Sequence, residues 1–160
     1  MPFAETLGQV LSAFIDAAAR DEAQSSPNYI YILFETTALT LRHLKNHPQL
    51  FIQVEACLGP ALNYIMEKNV SDMIGYAFQI YALFVANSQG LSPNYKVLSD
   101  SILSNKANWD KDMRYLIPAL ANYLIAMIYK YPENFTSDPN NMKSLQEIVS
   151  HLMHTDIRME

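Results

Sequence analysis

An all-α fold built from stacked helix pairs is what this sequence predicts, on three observations. Apolar residues recur at helical spacing along nearly the whole chain. Glycine is scarce, at 4 of 160 residues, where a β-sandwich or barrel needs many turn glycines. No stretch alternates apolar and polar residues with the period of two that marks a half-buried strand. The length suits one domain, and a chain that is 50% hydrophobic has material for a sizeable core. Charged residues are 17% of the chain, and there are ten tyrosines, seven phenylalanines and one tryptophan. Disordered segments have the opposite balance, low hydrophobicity with high charge.

Each element follows from its stripe and its breakers. A leading helix over 3–20 ends in the polar run Asp21 to Ser26. Pro27 then opens a second helix, where its missing N–H costs nothing. In that helix Ile30, Leu33, Phe34, Thr37, Leu41 and Leu44 share one face, and Asn46-His47-Pro48 closes it. The third helix, 48–67, carries Gly59-Pro60 in its interior, and Pro60 should kink or split it by removing one backbone bond. Asn69 to Asp72 offer capping side chains to a fourth helix, whose stripe is Met73, Ala77, Ile80 and Phe84. Gly90 stops it and Ser92-Pro93 starts a fifth, ending near Leu103. A short turn from Trp109 leads into a sixth, striped by Leu116, Leu120, Tyr123, Leu124, Met127, Ile128 and Tyr131. Tyr131-Pro132 ends it, and the polar stretch Pro132 to Asn141 reads as a loop before a last helix over 142–154.

These helices pair at a regular step. Starts near residues 28, 70 and 110 are about 42 and 40 residues apart, inside the roughly 40–47-residue period of HEAT and armadillo units. The fold is therefore expected to be a right-handed α-α superhelix of HEAT-like repeats: about three helix pairs plus a leading helix. The whole chain, 1–160, forms one solenoid with approximate repeats 28–68, 70–104 and 109–154, and 3–20 as the second half of a repeat that lacks its first. Two steps are a weak periodicity, so a compact four-helix-type bundle is the alternative. An array of this kind is expected to be monomeric, with two apolar end faces able to self-associate.

Charge and cysteine usage narrow the partners. Sixteen acidic against eleven basic residues give a net charge of −5, and no lysine or arginine adjoins another, so no basic face for nucleic acid is expected. The lone Cys57 cannot form an internal disulfide and suits a reducing compartment. The amino terminus lacks the basic region and apolar run of a signal peptide. The most apolar stretch, Leu116 to Tyr131, is interrupted by Pro118, Asn122 and Lys130, so no membrane insertion is expected. The sequons at Asn69 and Asn134 are then read as chance matches.

Chemistry finds little purchase. His43 and His47 are spaced i, i+4, but Pro48 follows at once and no further ligand is near, so they read as helix C-terminal cations. His151, His154 and Asp156 sit at the chain end. Cys57 has no neighbouring cation to activate it and reads as a structural thiol. Asp21/Glu22 and Asp110/Asp112 fall in polar turns. No GxGxxG, GxxxxGK[ST] or GxSxG occurs. The expectation is a non-enzyme: no catalytic residue, no cofactor site and no metal site. Tyr29, Tyr31, Tyr64, Tyr76, Tyr81, Tyr115, Tyr123 and Tyr129 read as core and near-core packing, with a protein-binding face as the sharper alternative. Met66, Met73, Met113 and Met127 read as gap-fillers.

Three stretches carry a family resemblance. Asn28 to Arg42, with its aromatic-rich opening, Phe34-Glu35 and closing Arg42, resembles a helix of the importin-alpha re-exporter family, the cellular apoptosis susceptibility proteins of the importin-beta superfamily. Ile74-Gly75-Tyr76-Ala77-Phe78-Gln79-Ile80 resembles that family's following first-of-pair helix, and Trp109 with Ile117-Pro118-Ala119-Leu120 its next repeat junction. The resemblance implies an internal slice of a longer solenoid that binds importin-alpha together with GTP-bound Ran, shuttles between nucleus and cytoplasm, and works by protein–protein binding. It further implies that the second helices, about 48–67, 92–104 and 142–154, form the binding face, with Gln53, Glu55, Asn63, Glu67, Lys96 and Asp100 among their polar residues. No partner-contacting residue is assigned. A HEAT-type scaffold or other karyopherin without Ran dependence, and a small helical ligand-binding or enzymatic bundle, are the alternatives.

Overall fold

The computed structural model describes residues 2–21, 25–105 and 115–154. Among them are eight helices and no strand: α1 (Pro2–Arg20), α2 (Pro27–Leu44), α3 (Pro48–Lys68), α4 (Ser71–Asn87), α5 (Pro93–Ser104), α6 (Ile117–Lys130), the single turn α7 (Glu133–Thr136) and α8 (Pro139–His154). The expected starts hold for local reasons. Ser26 accepts a hydrogen bond from the Tyr29 N–H and Ser92 from the Asn94 N–H, satisfying donors that the first turns of α2 and α5 would otherwise leave open. Pro27, Pro48 and Pro93 each open a helix where the missing N–H is harmless.

The helices stack in two layers. In one, α2, α4 and α6 run the same way: Phe34 stacks on Tyr76 with ring centroids 5.1 Å apart, and Phe78 meets Tyr123 edge-on at 6.1 Å. In the other, α1 lies along α3, and α5 lies against α8. Each first helix buries its stripe between the layers. Ile30, Leu33, Phe34, Thr37 and Leu41 of α2, Met73, Ala77, Ile80 and Phe84 of α4, and Leu120, Tyr123, Leu124 and Met127 of α6 are all buried. Phe51 of α3 closes edge-on against Phe84, at 6.1 Å. A buried side chain of this size contributes about 1.5–3 kcal/mol, whereas the i, i+4 ion pairs Arg20–Asp16 and Lys96–Asp100 stand in solvent and contribute little. The apolar stripes, not the charges, hold the stack together. No helix among the described residues is long and apolar enough to cross a membrane.

Several expectations are corrected. Pro60 does not split α3, which runs unbroken through it. The carbonyl that loses its partner is that of Ala56, at an exposed position of the helix. The stretch 132–141 is not one loop: α7 occupies 133–136 and α8 begins at Pro139. Pro132 supplies helical backbone at the cap, and Asp138 accepts from the Asn140 N–H at 2.9 Å, so each proline begins a helix. Asn69 does not cap α4. It ends α3 in the left-handed conformation at φ 54°, and the Val70 N–H donates back to the Ile65 carbonyl over a buried Val70–Ile65 pair. Val70 stands at the α4 cap with no side-chain bond. Among the tyrosines, Tyr81 and Tyr123 are core, Tyr64 and Tyr76 half-buried, but Tyr29, Tyr31, Tyr115 and Tyr129 are exposed, Tyr129 at 91%. Met73 and Met127 are fully buried and Met66 partly. Trp109, Met113, Glu22, Asp110, Asp112 and Asp156 lie outside the described residues.

Candidate protein-interaction surface

Helix α1 can lie close on α3 because Gly8 has no side chain. A Cβ there would stand 3.0 Å from the Cys57 Cβ and 3.2 Å from the Val54 Cα, tight enough that the neighbouring helix would have to give way slightly. The Cys57 Sγ, half-buried at this contact, points to the Glu5 carbonyl at 3.8 Å. Further along, the pair forms an open groove of about 680 Å³ lined by Gln9, Ser12, Ala13 and Asp16 of α1 and by Pro60, Ala61, Asn63, Tyr64 and Glu67 of α3. Arg20 also lines it. Its guanidinium lies over the Tyr64 ring, 4.4 Å from the centroid, and its Nε donates to Asp16 at 2.7 Å. Behind the groove, the Tyr81 hydroxyl donates to the Asn63 side-chain oxygen at 2.6 Å, fixing that carboxamide. Burial, with a smaller contribution from the Glu67 charge, pushes the Tyr81 phenol up to about 12.

The polar residues expected on the second helices divide in two. Asn63, Glu67 and Lys96 are exposed. Gln53, Glu55 and Asp100 are half-buried. Asp100 takes Lys96 Nζ on one oxygen at 2.8 Å and the Asn141 amide on the other at 3.2 Å, which ties α5 to α8. The Gln53 side-chain oxygen is enclosed without a hydrogen-bond partner. Burial alone raises the Glu55 carboxyl from 4.5 to about 7. Beneath α5 the polar seam continues: Tyr123, whose phenol is raised by burial, donates to the Tyr95 carbonyl at 2.8 Å, and Ser88 bonds Tyr131 at 2.6 Å.

No three His, Cys, Asp or Glu side chains among the described residues are placed to hold a metal. His43 and His47 are exposed at the end of α2, and Asp21 is exposed after α1. The Asn134 sequon side chain is buried in α7, and Asn69 serves the α3 terminus. Sequence reasoning missed the α1–α3 groove, although a glycine inside a helical stripe is the mark of a close approach and Asp16 and Arg20 sit at i, i+4 facing it. A second cavity of about 700 Å³ runs along the starts of α2, α4 and α6, with Tyr76 and Tyr115 in its wall. Large apolar side chains are exposed at both ends of the stack: Phe3, Val10 and Phe14 on α1, and Ile125, Tyr129, Val149 and Met153 on α6 and α8.

Grooves along stacked helices are what a helical-repeat protein presents. The sequence profile described as "CAS/CSE protein, C-terminus" matches residues 1–157. The chain belongs to the CAS/CSE family. A relative in Schizosaccharomyces pombe, described as importin-alpha re-exporter, is 29% identical over 140 residues, 86% of this chain. The chain spans 14% of that relative's length. No solved structure matches. Membership agrees with the all-α HEAT-like stacking seen here and with the resemblance carried by the stretches in α2 and α4. This CAS/CSE chain is the C-terminal type of segment in that family, and its two-layer stack is what positions the α1–α3 groove.

Proposed function

We propose that this CAS/CSE segment takes part in carrying importin-alpha from nucleus to cytoplasm, by binding and without catalysis. The observation that supports the reading is the match over 86% of the chain to a protein described as an importin-alpha re-exporter. The geometry is compatible with it: one groove lies along α1 and α3 and another along the starts of α2, α4 and α6, with exposed polar side chains on the second helices. In this reading the partners are importin-alpha and GTP-bound Ran, the repeats run approximately 28–68, 70–104 and 109–154 behind the leading helix, and the receptor shuttles. Coupling between the two partners arises because each favours one curvature of the stack, which makes their binding reciprocal.

Immobilised chain offered importin-alpha with GTP-loaded Ran, GDP-loaded Ran or neither tests it. Retention of importin-alpha that requires the GTP form is the expected result. Retention indifferent to nucleotide moves the chain to a Ran-independent scaffold, and none at micromolar concentrations overturns the reading for this segment.

A further inference from the structure

We propose that the outer face of α1 pairs with the same face of a second copy of this chain, the two helices lying antiparallel. Helix α1 carries two apolar stripes. The inner one, Ala4, Leu11, Ile15 and Ala18, is buried in the core, and Gly8 beside it meets α3. The outer one, Phe3, Leu7, Val10 and Phe14, is spaced 4, 3 and 4, and exposed Ala17 continues it by a further 3. That is the seam of a two-helix coil, whose side chains interlock with those of a facing helix. No helix among the described residues covers it: Phe3 is 75% exposed, Val10 45% and Phe14 51%, while Leu7 is packed partly against the core.

The composition of the seam favours a like copy. The charged residues of α1 are Glu5, Asp16 and Arg20, and all lie on its far side. Asp16 and Arg20 line the α1–α3 groove, and Glu5 accepts from Gln9, which lines it too. Thr6 and Ala13 border the seam and are uncharged. Unlike helices select one another by complementary charges at such flanking positions; here nothing repels an identical helix and nothing selects a different one. A twofold axis between Leu7 and Val10 sets Phe3 of one copy beside Phe14 of the other, and Leu7 beside Val10, so each ring meets a ring. The area also suffices. Two rings at these exposures, with Leu7, Val10 and Ala17, offer about 400 Å² of apolar surface per copy. Interfaces are about 60% apolar, so the pair buries about 1,300 Å² in total, at the lower end of the range for specific complexes. The apolar face at the opposite end, with Ile125, Tyr129, Val149 and Met153, is divided between α6 and α8 and has no such seam.

The inference stands apart from the carrier role proposed above. Sedimentation equilibrium of the whole chain between about 1 and 100 μM tests it. A monomer–dimer equilibrium with a dissociation constant of about 10 μM is expected, in place of the monomer that repeat architecture suggests. Val10→Asp puts a charge at the centre of the seam and should weaken the dimer at least about tenfold. Phe3→Ser, at the exposed first turn, should also weaken it about tenfold without reaching the core. Val149→Asp makes the same charge change on the exposed surface of α8 and should leave the constant within about twofold. Circular dichroism melts of each variant at about 1 μM separate lost pairing from lost fold. A chain that stays monomeric throughout overturns the proposal and leaves the face to a different protein. A dimer indifferent to folded Val10→Asp and Phe3→Ser overturns it as well, as do a dimer dissolved by Val149→Asp and head-to-tail assemblies of more than two copies. Importin-alpha capture reads the carrier role separately: its failure beside an intact dimer overturns that role alone.

Discussion

Glu55 is a residue at which burial couples folding to protonation. Burial on α3 holds its carboxyl at about 7 instead of 4.5, so the folded state binds this proton more tightly than the unfolded chain does. Stability from this group is complete below pH 4.5 and is lost as pH rises through 7. Removing the charge should therefore help only on the neutral side. Glu55→Gln is expected to raise unfolding free energy by about 1–2 kcal/mol at pH 8, allowing for solvent screening of a half-exposed group, and by almost nothing at pH 4.5. Urea titrations at the two pH values check this, and an increment independent of pH would show that Glu55 acts through packing. The residue's exposure was not legible in the sequence, because a glutamate on a helix flank is solvated or enclosed according to the neighbouring helix.

Among elements, the α1–α3 pair depends on one absent side chain. Gly8 gains nothing for the helix itself, since glycine is about 1 kcal/mol worse than alanine in a helix interior. Its worth is the approach it permits, with Cys57 and Val54 at 3.0 and 3.2 Å from where a Cβ would sit. Gly8→Val should destabilise the chain by about 2–3 kcal/mol through overpacking, despite better helix chemistry than glycine. A calorimetric melt checks it; a stability equal to or above wild type would mean that α1 shifts at no cost. Helix starts were readable because proline and serine act on their own turn. The α3 interior was not, because whether Pro60 breaks a helix depends on the surroundings of the Ala56 carbonyl.

The whole molecule is unevenly secured. Helices α3, α4 and α6 interlock through Phe51, Phe84, Phe78 and Tyr123, all buried aromatics. Helix α5 rests chiefly on α6 and α8, and beneath it Tyr95 and Ser99 hydroxyls and the Asn134 amide are enclosed without hydrogen-bond partners. Buried unpaired polar groups each forfeit about 1–3 kcal/mol, so α5 should open before the aromatic centre does. Amide hydrogen exchange should therefore find α5 exchanging well ahead of α4 and α6, and equal protection in the three would refute this order.

The sequence by itself determined the all-α class, the layer of first helices with its buried stripes, most helix starts, and the family to which the chain belongs. Those are local or periodic properties: 3.6-residue spacing, a proline at a first turn, an aromatic pattern along α2 and α4. Tertiary structure alone decided which of the eight tyrosines singled out from the sequence face solvent, that Asn69 ends one helix and does not begin the next, that 132–141 contains a helical turn, and that α1 and α3 enclose a groove. Each of these depends on which neighbour lies across a given face, and the identity of that neighbour is set by residues some fifty positions away, as Gly8 and Cys57 are.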